Sequence, residues 1–210
     1  RNFNTSAEDP AAANRAFKLR KQYRENATHL EMTKQTQALM DQVCTSAMQI
    51  SDIMANDIQP DILEAINGTN TNPSERETYA ETLRGMQKSI VLSANTQVGG
   101  RFLFSGEDTH NVPFVLSDDG LQLTYRGTDV SAAEGTADYA TLTNLSQETL
   151  NVDLGFGLKE DANGQMVDTS VYNTATPGIN LLGYGVDKDG LPNNVVDLLG
   201  QMADTLEADT

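Results

Sequence analysis

The sequence predicts an α+β protein: an elongated rod of long antiparallel helices, built from the N- and C-terminal segments, with an inserted β-rich domain. Three observations predict it. Residues 10–66 carry a long, alanine-rich helical pattern. After Gly99-Gly100 the periodicity switches from helical to alternating. Charge and glycine content shift at the same place. Residues 1–100 carry a net charge of −2 and residues 101–210 one of −14, and 13 of the 16 glycines fall from Gly100 onward. The division that follows is a helical rod domain over 1–105 plus 191–210, holding a short β-hairpin, and an inserted β-rich domain over 106–190.

The first helix opens at Asp9-Pro10. Asp9 is a favourable N-cap, and Pro10 suits the first turn, where its missing N–H would have no partner. Ala11, Ala12, Ala13 and Ala16 are strong helix formers. From Thr36 the apolar spacing approaches a heptad: Val43 and Ile50 share one seam position, and Met40, Ala47 and Met54 the other. Upstream the same frame holds Gln22, Asn26, His29 and Thr33, so the seam there is polar. Pro60 is expected to kink this helix or divide it. Asn67–Pro73 reads as a turn, and Ser74 with Glu77 as a capping box. A second helix is then expected to about Val98, with Tyr79, Leu83, Met86, Ile90 and Ala94 as its apolar stripe. A tight turn between long helices makes them antiparallel neighbours.

Gly99-Gly100 reads as the stop of that helix. Arg101–Phe104 and Pro113–Leu116 read as strands, and Asp118-Asp119-Gly120 as a hairpin turn into a strand over 121–126. Residues 127–192 are rich in Gly, Asn, Asp and Thr, with short apolar pieces at 151–158, 166–172 and 179–184, and read as β-rich or irregular. Asn193–Leu206 is a final helix with Val196, Leu199, Met202, Ala203 and Leu206 as its stripe.

Composition narrows the function classes. The 210 residues include 14 Lys+Arg and 30 Asp+Glu, a net charge of −16. Nucleic acid and anionic membrane surfaces are therefore poor partners, since both are met by clustered Lys and Arg. One cysteine cannot form an internal disulfide. No apolar run approaches the roughly 20 residues of a membrane helix. The chain does not begin with Met and carries no signal-like segment, so Arg1 is expected to lie inside a longer gene product.

Catalytic chemistry finds little support. His29 and His110 have no Cys or His neighbour at metal-ligand spacing. Cys44, between Val43 and Ala47, reads as a packed, inert thiol. Asp187-Lys188-Asp189-Gly190 and Asp161-Ala162-Asn163-Gly164 resemble calcium loops faintly, but the Gly and Glu positions fail, and both read as hairpin turns. No catalytic residue, metal site or cofactor is expected. Residue patterns alone describe a structural or interaction protein, with an acidic extracellular binding module as the rival.

Two stretches carry a family resemblance. Asn4–Arg24, with Asp9-Pro10-Ala11-Ala12-Ala13 followed by Leu19-Arg20, resembles the opening of the rod helix in the flagellin superfamily; Glu8 stands where that family commonly has Asp. Asn95-Thr96-Gln97-Val98-Gly99-Gly100-Arg101-Phe102-Leu103-Phe104-Ser105-Gly106, with Pro113-Phe114 after it, resembles the hook-filament junction proteins of that superfamily (hook-associated protein 3). Flagellins proper usually carry a different motif there. Leu123-Thr124-Tyr125-Arg126-Gly127 fits the same family, whereas 128–192 matches weakly. The resemblance implies an extracellular structural component of the bacterial flagellum, exported through the flagellar secretion apparatus. Its implied partners are its own copies in a ring, flagellin, a neighbouring junction protein and an export chaperone. The resemblance also implies further helices at both ends for polymerisation and export, which are expected to be missing from this chain. Flagellin itself is the alternative within the superfamily.

Overall fold

The structure, a computed structural model, describes residues 10–60, 62, 72–155, 157, 159–164, 166–167 and 171–208. Asp9, the reach of the first helix beyond Pro60 apart from Ile62, and most of the turn expected over 67–73 lie outside the described residues. The class is α+β, as the sequence predicts. The helices are α1 (Pro10–Asp52), α2 (Pro73–Ala94), α3 (Ala137–Ser146), α4 (Ile179–Leu182) and α5 (Val195–Ala208). The strands are β1 (Gln97–Val98), β2 (Arg101–Phe102), β3 (Phe114–Leu116), β4 (Leu123–Tyr125), β5 (Thr128–Asp129), β6 (Asn151–Val152) and β7 (Tyr172–Asn173). The chain divides into two compact units, Arg1–Met40 with Asn151–Thr174 and Asp41–Leu150 with Ala175–Thr210.

In the first unit, β6 pairs antiparallel with β7, Asn151 opposite Asn173 and Val152 opposite Tyr172. The backbone of Gly155 lies against the His29 ring so closely that a Cβ there would fall 2.6 Å from it. The α1 residues Phe17, Leu19, Tyr23 and Leu30 are exposed, consistent with the polar seam of this stretch.

In the second unit the α1 seam becomes partly buried: Ile50 is fully enclosed, whereas Val43, Ala47 and Met54 are half-buried. Cys44 is exposed, which corrects its reading as a packed thiol. One residue past Val43 rotates it about 100° off the seam. The helix does not break before Pro60. Ile53–Ile58 widens into a π-helical stretch, and the Gln59 N–H donates to Met54 O, five residues back. Proline cannot donate to the carbonyl four residues before it, and a π-bulge is one way to absorb that defect.

Helix α2 is capped two residues earlier than the capping-box reading, which puts Ser74 at the N-cap. Asn72 is the N-cap, its side chain accepting the Ser74 N–H at 3.2 Å, with Pro73 in the first position. The buried face of α2 is Ala80, Leu83, Gln87, Ile90 and Ala94, while Tyr79 and Met86 are half-buried. The face follows a 3-4-3-4 spacing through a polar residue, whereas the apolar stripe read from the sequence steps around Gln87.

Helix α5 packs antiparallel on α2: Arg84 meets Glu207, and Gln87 meets Val196. Val196, Leu199 and Ala203 form its buried side, as its stripe predicts, with Met202 and Leu206 half-buried. Asn194 caps α5, its Oδ1 accepting the N–H groups of Val196 and Asp197. The three-stranded antiparallel sheet β3-β4-β5 buries Phe114, Leu123 and Tyr125. Helix α3, unforeseen in a stretch read as β-rich, is capped by Thr136, whose Oγ1 accepts the Tyr139 N–H at 3.2 Å.

Candidate functional site

The residues of the hairpin motif meet around the C-terminal end of α2. The helix stops at Ala94, so Gln97–Val98 is a strand rather than helix, and Gly99-Gly100 is the turn of a hairpin. Val98 pairs with Arg101 and Gln97 with Phe102. Gly99 (φ +59°) and Gly100 (φ +78°) both occupy the left-handed region that a type I′ turn requires. The strand at Arg101 ends after Phe102, two residues shorter than expected.

Asn95 stops the helix and joins it to the sheet. Its Nδ2 donates to Phe114 O at 2.8 Å, and its Oδ1 accepts the Phe114 N–H at 3.1 Å. The side-chain amide thereby stands in for a neighbouring strand along the β3 edge. Thr96 Oγ1 donates to Ser93 O, and Thr96 O accepts the Leu103 N–H. Beyond the hairpin, residues 102–106 are buried. The Phe104 carbonyl accepts from Gly178 N at 2.8 Å and from the Tyr125 hydroxyl at 3.1 Å. Ser105 Oγ donates to Phe102 O. Pro113 is buried, and its carbonyl accepts the Arg126 N–H at 2.7 Å. Phe114 packs on Tyr125 with ring centroids 4.9 Å apart. Burial raises the Tyr125 phenol, so it stays a neutral donor. The motif thus has a tip, 97–101, whose residues are all exposed, and a buried anchor, 102–106.

An ion pair closes the far side of the anchor. The Arg126 guanidinium contacts both oxygens of Glu148 at 2.7 and 2.6 Å, and Glu148 Oε2 accepts the Glu107 N–H at 2.9 Å. Arg126 sits at φ +50° and is followed by Gly127 at +82°, so β4 and β5 are joined by a second two-residue turn of the same class. The left-handed backbone at Arg126 is strain held in place by these contacts.

The α2–α5 joint is polar at its centre. Gln87, fully buried, donates to Gly120 O at 2.6 Å and Val196 O at 2.8 Å. Arg84 makes a two-pronged contact with Glu207, Nε to Oε1 and Nη2 to Oε2, each 2.9 Å, and donates to Asp119 O at 2.7 Å. The hydrogen bond from Arg84 holds the Glu207 carboxyl below its ordinary range. Sequence reading missed Gln87 because a polar residue on a helix carries no burial signal by itself.

The groups with reactive side chains do not converge. His110 is exposed beside Thr109, and His29 belongs to the first unit. Asp187 accepts the N–H groups of Asp189 and Leu191, and Asp161 that of Asn163, as turn residues do. Among the described residues no group of His, Cys, Asp and Glu is placed to hold a metal, and no helix is long and apolar enough to cross a membrane. Of the motif residues in the first unit, Pro10 is exposed at the start of α1.

Residues 1–109 match the family described as the bacterial flagellin N-terminal helical region. No curated protein sequence matches the chain. Among solved structures, FlgL of Xanthomonas campestris is 20% identical over 76% of this chain and 41% of its own, with a TM-score of 0.50. FlgL of Bacillus cereus is 15% identical over 93% of this chain and 74% of its own, with a TM-score of 0.56. A protein described as a putative flagellar hook-associated protein from Vibrio parahaemolyticus is 17% identical over 97% and 74%, with a TM-score of 0.61. The chain therefore shares their fold, and it spans about two fifths of the Xanthomonas protein's length.

Proposed function

The chain belongs to the flagellin family, and we propose that it is the part of a hook-filament junction subunit that sits between hook and flagellin filament. The observation that carries the reading is the hairpin motif Asn95–Gly106 built on a flagellin-type helical region. The likeness in fold to FlgL structures supports it. On this reading the role is structural and uses no cofactor. The subunit assembles with copies of itself in a ring, below flagellin and next to another junction protein. It reaches the cell exterior through the flagellar export route with a chaperone's help. The side-by-side packing of α2 and α5 supplies a stiff element, and head-to-tail contacts between subunits build rings and tubes.

The test is deletion of the gene, with flagellin followed in cells and medium. The reading expects hooks without filaments and flagellin released into the medium. Bare hooks with the major filament protein itself absent would instead make the chain flagellin, the reading that the family's own description favours. Normal filaments would reject both and return an acidic binding module.

A further inference from the structure

We propose that the segment Asn151–Thr174 is a strap that shuts the seam of α1 at His29 in the free chain, and that it comes off before a helix of a second copy can pack there. The inference rests on the reading of the chain as an assembling subunit and adds what keeps the free chain from assembling early.

His29 stands apart on its helix. Every other α1 residue from 14 to 35 is exposed, whereas His29 is half-buried. It lies on the seam: His29, Thr36, Val43 and Ile50 follow one another at seven-residue steps, a face that drifts by only about 20° per heptad. Thr36 and Val43 are half-buried and Ile50 is enclosed. What lies on His29 is the backbone of Gly155. A Cβ there would fall 2.6 Å from Cδ2 and 3.0 Å from Cγ of the ring, and the residue sits at φ +96°. Only glycine fits both the conformation and the approach. Asp153 shapes the loop, its Oδ1 accepting the N–H groups of Gly155 at 2.7 Å and Gly157 at 3.1 Å.

The strap is built to release. Its ends are joined by the two residue pairs of β6 and β7, and an isolated bridge links Glu160 to Met166. A lone two-stranded hairpin is marginally stable at best in water. None of its described residues from 151 to 173 is buried, so it holds no core of its own. A segment with few buried apolar contacts opens at small free-energy cost.

The helix beneath it is short of partners. Phe17, Leu19, Tyr23 and Leu30 are each more than half exposed, whereas helices in proteins owe most of their stability to packing of one face. The same helix in a second copy carries the same heptad frame, which makes it the matching occupant of the seam. A helix laid along that seam meets His29, where the strap already lies, so strap and second copy exclude each other. The apparent affinity between copies then falls by the fraction of chains whose strap is open, roughly tenfold for an open fraction of about a tenth.

The test uses the purified full-length subunit in a Cys44→Ser background, since Cys44 is exposed. Maleimide labelling of His29→Cys reads strap closure, and sedimentation over a concentration series, with His29 retained, reads self-association. Gly155→Val is expected to speed the labelling and to lower the concentration needed for self-association, each by roughly tenfold or more. A second opened variant replaces 153–171 by an Asn-Gly turn between the paired residues Val152 and Tyr172. It should behave alike, which separates strap opening from misfolding of one variant. Bridging His29→Cys to Leu154→Cys with a short bis-maleimide should hold the chain monomeric. Labelling that neither opened variant speeds, opened variants that associate no more readily than wild type, or a bridged chain that associates as readily as the opened ones would overturn the strap. In each case the junction reading still stands on the deletion phenotype. Normal filaments in the deletion strain would reject that reading while leaving the labelling contrast intact.

Discussion

The carboxylate of Asp197, in the first turn of α5, accepts the backbone N–H of Leu123 in β4 at 2.7 Å. Its other oxygen accepts the Ser131 hydroxyl. The residue is 1% exposed, and no cation is paired with it among the described residues. A helix is tied to a sheet through a buried charge.

That arrangement makes stability depend on pH. Burial pushes the Asp197 carboxyl above its ordinary 3.8; the Ser131 and Leu123 hydrogen bonds pull it down, and Asp129 pushes it up. A raised folded-state value means the folded chain holds this proton more tightly than the unfolded chain. The stabilisation is full below 3.8 and is lost as pH rises through the folded value. Asp197→Asn keeps an acceptor for Leu123 and offers a donor to Ser131 without the charge. Its stability relative to wild type should rise from about pH 4 to about pH 7 in urea titrations. Parallel curves for the two proteins would refute the assignment. Asp197→Ala, which strands the Leu123 N–H, should cost about 1–3 kcal/mol.

Two helical glycines should respond to alanine with opposite signs. Gly85 in α2 has nothing within 4 Å of an added Cβ, so Gly85→Ala should stabilise by about 0.5–1 kcal/mol. At Gly200 in α5 a Cβ would fall 2.2 Å from Gly120 O, a backbone atom that cannot swing aside. Gly200→Ala should therefore lower the thermal midpoint despite alanine's better helix propensity. Equal shifts for both would remove the close approach of α5 to the Asp118–Gly120 turn.

Phe104 is 1% exposed, and its carbonyl is already used twice. Phe104→Ala should cost about 3–5 kcal/mol, the usual range for a buried phenylalanine. An unchanged denaturation midpoint would place the ring outside the core.

The Arg84–Glu207 contact carries the opposite pH sign to Asp197. Arg84 lowers the Glu207 carboxyl from its ordinary 4.5, so this contribution is present above 4.5 and fades as pH falls through the folded value. The Glu207 side chain is 41% exposed, so solvent screens the pair. A double-mutant cycle with Arg84→Ala and Glu207→Ala should give a coupling below about 1 kcal/mol at neutral pH. The coupling should shrink in salt and vanish once acid has protonated the carboxyl. A coupling that persists in acid would mean that packing of the arginine stem, not charge, joins the two helices.

Much of the helical framework was legible because helix signals are local. Pro10, the alanines after it and the Val196–Leu199–Ala203 stripe depend on neighbours one turn away. The α3 helix was legible in principle through Thr136 and Asp138, but the surrounding Gly, Asn and Thr masked a stretch of only 10 residues. Part of the hairpin was visible too. Gly99-Gly100 reads in the sequence as the stop of α2, whereas it is the turn of the hairpin, because α2 stops earlier, at Ala94. That stop is set by Asn95, whose amide is taken by Phe114, 19 residues later.

The α+β class, the family and the Asn95–Gly106 motif can be read without coordinates, since they follow from local propensity, periodicity and the residues as written. Which faces of the helices lie inside is a matter of long-range packing. Gln87 and Asp197 are buried because carbonyls and N–H groups from distant segments meet them, and Cys44 is exposed because among the described residues no segment covers it. A polar side chain's burial depends on whether a partner arrives to satisfy it, and that partner comes from the fold rather than from the neighbours along the chain.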